Sequence, residues 1–100
     1  MPIDIREDHL HLVQQILKEH VPYHSVVAFG SRVQGNATST SDLDLCLKGE
    51  RLSFQALSHL KDAFSLSTLP YFVDIVEWID LSPSFQSIVQ ECNILIYKTK

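Results

Sequence analysis

Gly30-Ser31-Arg32-Val33-Gln34-Gly35-Asn36-Ala37-Thr38-Ser39-Thr40-Ser41-Asp42-Leu43-Asp44-Leu45 is the stretch on which the reading of this chain turns. It follows the apolar run Val26-Val27-Ala28-Phe29, so the glycine–serine pair falls where a short buried strand would end. The two carboxylates lie within a second apolar run. Side chains alternate along a strand, so Asp42 and Asp44 project to one face while Leu43, Leu45 and Leu47 project to the other. Two acids side by side repel each other unless a cation or protons neutralise them, and a divalent metal is the economical explanation. The upstream turn offers backbone N–H groups and a hydroxyl, which suits the phosphates such a metal would carry.

The flanking sequence supplies the remaining elements. Leu10, Val13, Ile16 and Leu17 fall at helical spacing, and Asp4, Glu7 and Asp8 favour the start of a helix running from Asp4 to about His20. Val21-Pro22 ends it. Strands are expected at Ser25–Phe29 and Asp42–Leu47, with loop or short helix between them. Ser53 can cap a helix whose core face is Phe54, Leu57, Leu60 and Phe64. Pro70 precedes a strand over Tyr71–Trp78. Ser82-Pro83 places a cap before a proline at the first helical position, and Phe85, Ile88, Val89 and Cys92 form the core stripe of that helix. Asn93–Tyr97 reads as a final edge strand. Taken alone, this alternation suggests a parallel α/β sheet.

One hundred residues suit a single domain spanning 1–100, and 45% hydrophobic content argues for a folded core. A net charge of −4 with scattered Lys and Arg gives no sequence-wide field for stable nucleic-acid binding. Cys46 and Cys92 lack CxxC spacing and read as reduced thiols, Cys46 as a small buried residue. No apolar run reaches membrane-spanning length, and the acidic N-terminus is no signal peptide, so the expected location is the cytoplasm.

A lone pair of acids two apart is common by chance. The ordered set of glycine–serine turn, paired strand acids and a later strand acid, Asp74 in Tyr71-Phe72-Val73-Asp74-Ile75-Val76-Glu77-Trp78, is much more specific. It resembles the signature of the nucleotidyltransferase superfamily related to DNA polymerase beta, and the short chain resembles its minimal nucleotidyltransferase (MNT) branch. The resemblance covers nearly the whole chain and implies a mixed sheet with helices mainly on one face, in place of the parallel sheet. It implies two Mg²⁺ ions held by Asp42, Asp44 and Asp74, about 4 Å apart as in two-metal catalysis. Gly30 and Ser31 are then assigned to the triphosphate of ATP. Arg32 either pairs with a phosphate or braces the loop against an acid. Asp74 either completes the acceptor-side ion, takes the acceptor proton, or does both. Val33 and Thr38, where family members usually carry a smaller residue and often an arginine, bear on nucleotide affinity and acceptor choice.

MNT proteins are typically paired with a small helical HEPN ribonuclease toxin, which they neutralise by moving AMP from ATP to a tyrosine. The resemblance therefore implies an antitoxin that acts as a protein adenylyltransferase, alone as a homodimer or in a hetero-oligomer with its partner. Two alternatives stand beside it: a non-catalytic module that silences its partner by contact, and nucleotidyl transfer to a small molecule. The remaining polar and aromatic residues carry plainer readings. Glu77 lies on the opposite strand face from Asp74. The five histidines show no ligand spacing, and Trp78 reads as packing.

Overall fold

Alternation within the strand Leu43–Lys48 sorts side chains onto two unlike faces of a four-stranded sheet. The computed structural model describes residues 3–99. In chain order it contains α1 (Glu7–His20), β1 (Ser25–Phe29), α2 (Ser31–Gln34), β2 (Leu43–Lys48) and α3 (Phe54–Ser65). These are followed by β3 (Val73–Glu77), a 3₁₀ turn at Trp78–Asp80, α4 (Pro83–Glu91) and β4 (Ile94–Tyr97). The strand order is β3-β2-β1-β4. β1 runs antiparallel to β2 and β4, whereas β2 and β3 run parallel and are joined through α3. The sheet is thus mixed, as the resemblance implies and as bare alternation does not, with β4 at an edge as expected.

Leu43, Leu45 and Leu47 join Val26, Ala28, Val73 and Ile75 in the main core, against Val13, Ile16 and Leu17 of α1 and Leu60 and Phe64 of α3. The opposite face carries a smaller cluster of Val27, Phe29 and Cys46 under Val89 of α4, with Val76 and Trp78 packed at its side. The two longer helices share one face, and the short α4 covers part of the other.

Several boundaries differ from the sequence reading, each for a local reason. α1 begins at Glu7 rather than Asp4, because Arg6 is extended and the Asp4 carbonyl, which a helix would use, accepts from Arg32 Nη1 instead. β2 begins at Leu43, so Asp42 stands at its threshold. β3 is shorter than Tyr71–Trp78: Tyr71 turns toward Arg32, and Trp78 opens the 3₁₀ turn. The expected helical core stripes also need correction. Phe54 is 86% exposed, Ile88 57% and Phe85 39%, while Leu60, Phe64 and Val89 are buried. Phe54 is the first residue of α3, and burial along that stripe rises toward its C-terminal end, where the helix meets the sheet. Both expected caps form, with Ser53 Oγ accepting from the Ala56 N–H and Ser82 Oγ from the Phe85 N–H.

Candidate active site

Register brings the acids together. In the parallel pair β2–β3, Asp44 lies directly opposite Asp74, on strands separated by about 4.8 Å. Asp42 precedes Asp44 by two residues and, like Asp74, is exposed, whereas Asp44 is partly buried. Burial, followed by the charges of Asp74 and Asp42, pushes the Asp44 carboxyl up to about 6. Desolvation is the larger part of that shift, and the repulsion of the two neighbouring carboxylates adds to it.

The glycine–serine turn closes on the same carboxylate. On the antiparallel side Asp44 pairs with Phe29, which places Gly30 beside it. A Cβ at Gly30 would fall 2.2 Å from Asp44 Oδ2, and Gly30 adopts φ +80° and ψ −157°, a region essentially reserved for glycine. Glycine is needed here for contact with an acid as well as for backbone shape. Ser31 then opens α2, whose first carbonyl, that of Gly30, accepts from the N–H groups of Val33 and Gln34.

Arg32 forms no ion pair with an acid among the described residues. It is 5% exposed, and its guanidinium donates from Nε to the Ser41 carbonyl at 3.0 Å, from Nη2 to Ser39 at 3.1 Å and from Nη1 to Asp4 at 2.9 Å. Its planar face lies 4.0 Å from the centroid of the Tyr71 ring. Sequence reasoning missed Tyr71 and the three acceptors. Main-chain carbonyls leave no residue-type pattern to find, and the only available signal was an aromatic directly after Pro70.

The other candidates fall as the sequence suggests. Glu77 points to the face opposite Asp74, where its Oε1 accepts from the Leu52 N–H at 2.9 Å. Cys46 shares the acids' face but is sealed in the small cluster, and burial pushes its thiol up to about 11. Trp78 packs there beneath Lys48, whose Nζ lies 4.6 Å from the ring centroid. His9 meets Tyr71 edge-on, and His24 hydrogen-bonds the Glu50 carbonyl. Two cavities flank Tyr71, of about 210 and 360 Å³, and neither is lined by the acids.

Among the described residues no three His, Cys, Asp or Glu side chains form a self-sufficient metal cage. Mg²⁺ does not require one, because it usually takes one or two carboxylates and completes its shell with substrate phosphates and water. Hard oxygen donors, mutual repulsion and a raised carboxyl make the Asp42–Asp44–Asp74 set a fit for that ion. No helix among the described residues is long and apolar enough to cross a membrane.

Comparison with known proteins places the chain in a family. The family model described as polymerase beta, nucleotidyltransferase matches residues 12–100. A protein of Haemophilus influenzae named probable protein adenylyltransferase MntA is 43% identical over 95 residues, covering 94% of this chain and 83% of its own. A chain in a crystal structure of a toxin–antitoxin with AMP-PNP superposes with a TM-score of 0.76 at 22% identity, covering 91% of this chain and 74% of that one. A chain of the MntA–HepT toxin–antitoxin crystal structure gives 0.70 at 18% identity, covering 94% and 74%. At those identities the structural likeness speaks for the fold.

Proposed function

Because this chain belongs to the polymerase beta nucleotidyltransferase family, we propose that it moves AMP from ATP, with Mg²⁺, onto a tyrosine of a helical HEPN-type toxin and so acts as that toxin's antitoxin. The observation that carries the nucleotidyl-transfer reading is the meeting of Asp44 with Asp74 in register and with Gly30 in van der Waals range. The protein acceptor is supported by the relative named as a protein adenylyltransferase, and the toxin partner by the toxin–antitoxin structures that share the fold.

In this reading Asp42 and Asp44 would hold the nucleotide-bound ion, and Asp74 would complete the acceptor-side one. Bound there, Mg²⁺ would neutralise charge on the departing pyrophosphate and lower the pKa of the acceptor hydroxyl. The absence of a side chain at Gly30 lets the main chain approach the triphosphate, and the Ser31 hydroxyl donates to it. In the same reading Asp74 orients the acceptor hydroxyl and receives its proton as that oxygen attacks the α-phosphorus and pyrophosphate leaves. Cytoplasmic residence suits the ATP supply and two free thiols.

The test is to incubate purified protein, Mg²⁺ and the neighbouring toxin with each labelled nucleoside triphosphate in turn. Label from ATP, carried on the α-phosphate, should appear on a toxin tyrosine. Label appearing only on a small molecule, or on no acceptor at all, would overturn the proposal.

A further inference from the structure

We infer that Arg32 is a positioning residue that fixes the two acid-bearing strands relative to the glycine–serine turn, and is not a ligand of the nucleotide. The inference rests on the nucleotidyl-transfer reading of the acids, and it concerns how their geometry is maintained.

Four chain segments converge on this one side chain. Arg32 directly follows Ser31. Two of its hydrogen bonds go to the carbonyls of Ser39 and Ser41, the residues that lead into Asp42 and β2. Its stacking partner, Tyr71, leads into β3 three residues before Asp74. The third bond goes to Asp4, whose own N–H returns a bond to the Arg32 carbonyl, tying down the N-terminal segment behind Ile3 in the core. The turn, the entry to Asp42 and the entry to Asp74 are thus referred to a single guanidinium.

The chemistry selects arginine. A planar fork can donate in three directions while its face rests on an aromatic ring, whereas an ammonium is a point charge that can do neither at once. Arg32 forms no ion pair among the described residues, so its charge is balanced by carbonyl dipoles and a ring face. With its Nε and both Nη atoms engaged and the side chain buried, it is committed to the frame. Misplacing reacting groups by about 1 Å can cost on the order of 100-fold in rate.

Steady-state kinetics of Arg32→Lys, Arg32→Gln, Tyr71→Leu and Tyr71→Phe test this, together with hydrogen exchange. Both Arg32 variants should lose about 100-fold in kcat, with KM for ATP within about threefold, since retaining charge does not restore the fork. Tyr71→Leu should lower kcat more than Tyr71→Phe, which keeps the ring. In Arg32→Gln, amides of residues 39–42 and 71–72 should exchange faster while α1 and the core strands β1 and β2 stay protected. The inference is overturned if Arg32→Lys restores activity, if the loss falls on KM for ATP, or if Tyr71→Leu matches wild type. If the Arg32 variants do not fold, the Tyr71 pair carries the test. An inactive wild type would count against the proposed function, and unchanged exchange in Arg32→Gln would count against this inference independently.

Discussion

Asp44 is the residue on which charge, packing and chemistry meet. Its carboxyl is raised to about 6, first by burial and then by Asp74 and Asp42. Without metal, the folded protein therefore holds the Asp44 proton more tightly than the unfolded chain does. Its ionisation costs folding stability progressively as pH rises from about 4 to about 6, and the cost is complete above that window. Asp44→Asn should raise the melting temperature of the metal-free protein at pH 7.5 and change it little near pH 4, measured in chelator. Mg²⁺ with ATP should stabilise wild type and not this variant. Gly30→Ala acts on the same carboxylate from the other side. It forces a side chain into a conformation costing about 1–3 kcal/mol and onto Asp44 Oδ2. A loss of transfer of more than 100-fold is expected, compared with wild type at saturating ATP.

At the scale of elements, much was legible and the exceptions are instructive. Paired acids two apart, a glycine at a strand end and serine caps carry their geometry in residue type, so β1, β2, the turn and both capped helices could be read directly. Ser53→Ala should accordingly cost about 1 kcal/mol in chemical denaturation, since the cap to Ala56 is lost. Phe54→Ser should change stability by less than Leu60→Ala, because Phe54 projects into solvent and Leu60 is fully buried. Helical periodicity marks a face but not where the sheet beneath it ends, which is why Phe54 and Ile88 read as core. The early start assigned to α1 failed for a different reason. Asp4 bonds a residue twenty-eight positions away, and no local pattern reports that.

At the scale of the whole molecule, pairing direction was beyond the reach of alternation alone. The sequence order of helices and strands suits a parallel sheet, yet β1 and β2 are joined through α2 and the segment after it and pair antiparallel, while α3 carries the chain across to make β3 parallel to β2. That crossover sets Asp74 beside Asp44, so the active-site register is a product of topology. The frame around Arg32 is likewise invisible until the chain closes, since its acceptors are main-chain carbonyls, which carry no residue-type signal, and its ring partner Tyr71 lies far along the chain. In the proposed function these assembled acids do chemistry on a partner protein. The most direct test of this is the intact mass of the toxin after co-expression with wild type or with the folded Asp42→Asn/Asp44→Asn variant. Added AMP mass on the toxin, and protection of the cells, are expected with wild type alone. Equal protection by the variant, with no mass added in either case, would contradict it and leave inhibition by contact as the explanation.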